Sequence, residues 1–83
     1  MFFVYILRTS GDTLYVGQTS DLQKRIKEHR EKSARSAKYI KYFDSFELVY
    51  TESFIDRSSA MQREAQLKKL TRPEKERLII INK

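Results

Sequence analysis

Three polar side chains stand where two helical segments call for apolar ones. From Asp21 to Lys32 the apolar positions are Leu22 and Ile26, and Arg25 and His29 share their face at i+3 and i+7 from Leu22. In a later segment, which starts at Asp56, Ser58 or Ser59 and runs through Leu70, Glu64 falls within the stripe of Ala60, Met61, Ala65 and Leu67. A guanidinium grips anionic oxygens, an imidazole changes charge near neutral pH, and a carboxylate on a buried face needs a partner. Each also has an ordinary role: Arg25 as a surface cation, His29 as a satisfied structural imidazole, Glu64 as half of an i,i+4 pair with Lys68.

Seven further cations, Lys24, Lys27, Arg30, Lys32, Arg35, Lys38 and Lys41, lie on and just after the first helical segment. With 17 Lys and Arg against 11 Asp and Glu, the net charge is +6, which attracts a polyanion over long range. A phosphate backbone on these cations would gain affinity by counterion release, without sequence preference and with steep salt dependence. The alternative is a solvated face that serves solubility. Tyr39 and Tyr42 either stack on exposed bases or pack beneath their loop. The chain has no Cys, which excludes disulfides, thiolate nucleophiles and Cys-ligated zinc or iron–sulfur clusters; its one His leaves a closed zinc site short of ligands.

The elements that must position these residues follow from the hydrophobic pattern. Phe2 to Leu7 is a six-residue run rich in aromatic and β-branched side chains, too short for a helix, and reads as a buried strand. Thr9, Ser10, Gly11 and Asp12 form a turn, and Leu14-Tyr15-Val16-Gly17 returns as the second strand of a hairpin. Ser20 or Asp21 caps the helix Asp21 to Lys32. Lys32 to Lys41 is a loop or short irregular helix. Phe46, Leu48 and Tyr50 alternate with Glu47, Val49 and Thr51 as a third strand ending near Glu52. Thr71-Arg72-Pro73-Glu74 is a capping box for a last helix that reaches about Ile80 and docks through Leu78 and the isoleucines. The order β-β-α-β-α-α makes this an α+β chain, expected to form one domain over residues 1–83, because 83 residues bury about 60 to 65% of their unfolded surface. No run approaches the roughly 20 apolar residues of a membrane span, and no basic leader opens the chain, so a cytoplasmic location is expected.

Phe3-Val4-Tyr5 and Tyr15-Val16-Gly17, about ten residues apart on the hairpin, resemble the paired tripeptides of the GIY-YIG nuclease superfamily. Gly17-Gln18-Thr19-Ser20-Asp21-Leu22 leading into Arg25 and His29, with Arg63-Glu64 and Lys68 on the later helix, extends the likeness over nearly the whole chain, to small stand-alone YhbQ-like members. The resemblance implies a three-stranded antiparallel sheet flanked by helices, and hydrolysis of a phosphodiester at one divalent metal, Mg²⁺ or Mn²⁺. Glu64 would hold the metal, since a hard cation is satisfied by one carboxylate with water and phosphate oxygens. Tyr5 would be the general base or orient the water, with the metal or a nearby positive charge, which Arg25 could provide, lowering the phenol's ordinary pKa of about 10; Arg25 would also stabilise the charged transition state. His29 would relay the proton and Tyr15 would complete the hydrogen-bonded cluster. Gly17 would let the backbone turn or approach substrate, and Lys24, Lys38 and Lys68 would bind it. The implied substrate is DNA, with RNA left open.

The chain departs from the family's pattern at three points. Phe3 replaces the first Gly, Gln18 stands where some repair members carry Lys, and the Asn that larger members place after the metal-binding Glu has no equivalent, since Asn82 lies too near the end. Larger relatives attach DNA-binding or second nuclease domains, so targeting here must come from the shape of the substrate or from a partner protein. Two rival readings keep the fold: a non-catalytic nucleic-acid-binding module acting with a partner enzyme, and a protein-interaction module whose charge is incidental.

Overall fold

Side chains along the first strand alternate between two apolar layers, and the rest of the molecule is arranged around that strand. The computed structural model describes residues 1–32, 40 and 43–81, and among them three strands and three helices follow one another as β1 (Phe2–Thr9), β2 (Leu14–Thr19), α1 (Leu22–Arg30), β3 (Phe46–Phe54), α2 (Arg57–Lys69) and α3 (Arg72–Ile81). The strands form one antiparallel sheet in the order β2-β1-β3, which puts the first strand in the middle. Val4 and Ile6 of β1 face one layer with Val16, Tyr50, Ala60, Leu67 and Ile79. Tyr5 and Leu7 face the other, where Ile40, Tyr15, Leu22, Ile26 and Phe46 pack. Helices α2 and α3 therefore cover one face of the sheet and α1 the other.

The hairpin turn is closed by Thr9 and Thr13, whose hydroxyls lie 2.7 Å apart. Its left-handed residue is Asp12 (φ 61°), a residue type that tolerates this conformation, and not Gly11. Asp21 caps α1 by accepting from the Lys24 amide at 3.1 Å, and Asp56 caps α2 by accepting from the Ser59 amide at 2.7 Å. The capping box of α3 is formed, with the Thr71 amide donating to Glu74 at 2.9 Å and the Glu74 amide to the Thr71 hydroxyl at 3.4 Å.

Four expectations need correction. The third strand does not keep a strict period of two: Ile6 pairs with Tyr50 and Leu7 with Leu48, so Val49 is the extra residue of a bulge. Tyr50 consequently joins the α2 layer while Phe46 packs on the α1 side. The first helix stops at Arg30, before Lys32, whose φ of 51° cannot continue a helix. In α2 the inward stripe is Ala60, Glu64 and Leu67, whereas Met61 (48% exposed) and Ala65 face solvent. In α3, Ile79 is buried and Leu78 packs against the core, but Ile80 and Ile81 are exposed.

Helix α3 is fastened to the hairpin end of the sheet by charge. Arg8 donates two hydrogen bonds to Glu76, at 2.8 and 2.6 Å, and Arg72 pairs with Glu76 at 3.2 Å and with Asp12 at 3.1 Å. Among the described residues no helix is long and apolar enough to cross a membrane.

Candidate active site

Tyr5 sits on the central strand opposite Gly17 of β2, and its phenol lies over the space where Gly17 lacks a side chain. A Cβ there would stand 2.5 Å from the Tyr5 hydroxyl and 2.6 Å from Cζ, closer than atoms pack. Gly17 has no positive φ, so its expected part in a backbone turn is corrected: what requires glycine is the neighbouring phenol. The hydroxyl reaches Nε2 of His29 on α1 at 3.1 Å. Tyr15, two residues before Gly17 and therefore on the same side of β2, brings its ring within 6.4 Å of Tyr5 and 5.9 Å of His29 between centroids.

Arg25 lies one turn before His29 and hydrogen-bonds the Tyr5 phenol. Its Nη1 also donates to Oε1 of Glu28 at 3.3 Å. Burial opposes the guanidinium's charge, but the bonds to Tyr5 and Glu28 outweigh it and hold the group above its usual value. His29 is 1% exposed; its burial, reinforced by the charge of Arg25 and opposed by Glu28, drives the imidazole down to about 4. Tyr5, equally buried, is pushed up to about 12 by loss of solvent, and the opposing hydrogen bond from Arg25 does not compensate. Arg25 does act to lower the phenol, as expected of a neighbouring cation, but desolvation is the larger effect.

Glu64 comes from the opposite face of the sheet, on α2 between Ala60 and Leu67, and its carboxylate is close enough to Tyr5 to oppose formation of a phenolate. The structure therefore brings Tyr5, Tyr15, Gly17, Arg25 and His29 into one neighbourhood, with Glu64 within electrostatic reach of Tyr5. Lys68 pairs with Glu64 at 3.4 Å and is more than half exposed. Lys24 lines an open polar cleft with Gln18, Thr19, Ser20, Asp21, Arg25 and Glu28, directly beside the buried cluster. Lys38 lies outside the described residues, as do Arg35, Tyr39, Lys41 and Tyr42.

Among the described residues there is no group of three or more His, Cys, Asp or Glu able to cage a metal. One half-buried carboxylate with a single ion-pair partner suits a hard cation that keeps most of its water, such as Mg²⁺, and not a closed protein site. Sequence reasoning overlooked Glu28. Its signal was the i,i+3 spacing from Arg25, which places a carboxylate beside that guanidinium.

A model of the GIY-YIG catalytic domain matches residues 1–77, which include every member of this cluster. The chain belongs to the GIY-YIG family. A UPF0213 protein of Natronomonas pharaonis is 43% identical over 77 residues, covering 93% of this chain and 88% of that protein. The UPF0213 protein YazA of Bacillus subtilis is 42% identical over 74 residues, covering 89% and 73%. The solution NMR structure of a UPF0213 protein from Bacillus halodurans, 36% identical, superposes with a TM-score of 0.62 over 98% of this chain and 85% of that one. GIY-YIG membership assigns the chain to a nuclease family, whose substrates are nucleic acids. The small stand-alone relatives also agree with the α+β architecture of the sheet and its helices.

Proposed function

We propose that this chain is a metal-dependent nuclease that hydrolyses phosphodiester bonds in DNA, structure-selective or nonspecific, in repair or processing. The observation that carries the reading is the convergence of Tyr5 and His29, from β1 and α1, with Arg25 beside a polar cleft and Glu64 of α2 within electrostatic reach of Tyr5. Clustered ionisable groups strongly displaced from their ordinary values are a common mark of a catalytic site.

Glu64 would hold a divalent cation, which when bound supplies positive charge to a phosphoryl oxygen. Arg25, which pairs with Glu28 and lines the cleft, would hold a phosphate oxygen as negative charge grows on it. Tyr5 stays protonated at neutral pH, so it takes a proton from the attacking water as it gives up its own. The acceptor is Nε2 of His29, neutral at that pH, in the tautomer that would carry its proton on Nδ1. Because the two transfers are concerted, no free phenolate has to exist in the pocket; the water oxygen bonds to phosphorus as the P–O bond to the sugar breaks, and the leaving oxygen takes a proton from solvent. Lys24, in the cleft, and Lys68, on the exposed side of α2, hold flanking phosphates.

The test is cleavage of flapped, nicked, single-stranded and duplex DNA with Mg²⁺ or Mn²⁺ by the wild type and by Glu64→Ala. The wild type cuts at least one substrate and the variant loses the activity; equal residual cleavage by both overturns the assignment. A second reading, a nucleic-acid-binding module that works with a partner enzyme, is favoured by the Glu64–Lys68 ion pair, which already uses the carboxylate. Salt-sensitive binding that Glu64→Ala leaves unchanged, with no cleavage by either protein, selects it.

A further inference from the structure

Glu28 is the one carboxylate hydrogen-bonded to Arg25 among the described residues, and it is well covered, with its side chain 18% exposed against 25% for the arginine. It is bound to that arginine inside the same helix, one residue before His29. Resting on the nuclease reading, we propose that Glu28 is a positioning residue: its carboxylate fixes the Arg25 guanidinium between the Tyr5 hydroxyl and the cleft and balances its charge next to His29.

The argument is one of geometry and charge. A guanidinium presents its N–H groups in a rigid plane, so a carboxylate on one edge orients the others. Arg25 is a long side chain at the mouth of an open cleft, and losing that carboxylate widens the range of orientations its guanidinium takes there. Among the described residues, Tyr5 on β1, Tyr15 on β2 and Glu28 act on the guanidinium, Glu28 being the carboxylate among them, and the guanidinium in turn acts on His29. Glu64, on α2, acts on Tyr5. The contributions of Arg25 and Glu28 to His29 have opposite sign, so removing Glu28 takes away a charge that offsets the effect of the cation on the imidazole.

The test uses the full chain, with Glu28→Gln, which keeps an acceptor for Arg25 without the charge, and Glu31→Gln as a control that removes a charge from the exposed end of the same helix. Thermal unfolding establishes that both are folded. The first readout is the pH titration of His29, the only histidine, followed by NMR. Its midpoint falls by roughly half a unit in Glu28→Gln and stays in place in Glu31→Gln. The second is single-turnover and steady-state cleavage, in which Glu28→Gln lowers kcat about tenfold while KM stays within about twofold. An unmoved His29 midpoint in Glu28→Gln overturns the proposal, and so does an unchanged kcat in a protein that cleaves. If the wild type cuts nothing, the nuclease reading fails, and the titration alone then decides for or against the hold of Glu28 on Arg25.

Discussion

The Tyr5 hydroxyl stands 3.1 Å from Nε2 of His29, and burial holds the two groups at opposite extremes, the phenol near 12 and the imidazole near 4. Both are therefore neutral across the physiological range, in a place from which bulk water is excluded. A neutral donor against a neutral acceptor is suited to passing a proton through, and poorly suited to storing one. Arg25 touches this pair, and Glu64 acts on it from the other side of the sheet.

Tyr5→Phe keeps the ring and removes only the hydroxyl. It leaves His29 Nε2 without this partner in a buried position, which costs about 1–3 kcal/mol in unfolding free energy. Cleavage falls by a factor of about 100 or more in single-turnover assays, because the group that takes the proton from water is gone. Retained activity in a folded Tyr5→Phe protein contradicts the proton route.

Gly17→Ala forces the Tyr5 phenol out of place, since the new Cβ would lie 2.5 Å from its oxygen. We expect a loss of about 1–3 kcal/mol by urea unfolding and a severe loss of cleavage. In a Tyr5→Ala background the same substitution is nearly neutral for stability. A double-mutant cycle measures the coupling, and additive costs would show that the phenol is not what demands glycine.

Acid destabilises the fold through His29. The unfolded imidazole titrates near 6.5 and the folded one near 4, so between those values the unfolded chain binds more protons and stability drops as the pH falls. Urea midpoints measured from pH 7 to pH 4 show this slope, and His29→Gln flattens it. An equal slope in both proteins is the contrary result.

Much of this arrangement was legible in the sequence, and the residues that were misread share a cause. The hairpin, the three helices and the caps at Asp21, Asp56 and Thr71 follow from local pattern, and local pattern decided them. Arg25, His29 and Glu64 stood out because each breaks an apolar helical face. The bulge at Val49 carries no Gly or Pro to announce it, and it reassigns Tyr50 to the other layer. Met61 and Ala65 are as apolar as their neighbours, and only the docking angle of α2 leaves them outside. The raised phenol of Tyr5 depends on depth of burial, a three-dimensional quantity that outweighed the neighbouring cation. The turn expected at Gly17 failed similarly, because its constraint comes from a residue twelve positions away across a strand pair.

Helix α3 depends on ion pairs at the hairpin. Glu76 is held down to about 2 by its hydrogen bonds from Arg8, with Arg72 adding to them, against an ordinary value near 4.5. Its contribution is complete above pH 4.5 and disappears as the pH falls toward 2. Glu76→Gln lowers stability by about 1 kcal/mol at pH 7 and by little at pH 2, read from thermal or urea unfolding. A penalty that is the same at both pH values contradicts the charge-based account.

The most direct test of the account is single-turnover cleavage of the best DNA substrate, with Mg²⁺ titrated, by the wild type, Tyr5→Phe, Glu64→Gln and the double variant. If the phenol and the carboxylate serve one reaction centre, each single change removes nearly all cleavage and the double change is scarcely worse than either. Cleavage that persists in Glu64→Gln, or rate losses that multiply as if the two residues were independent, would show that the cluster is not a catalytic site.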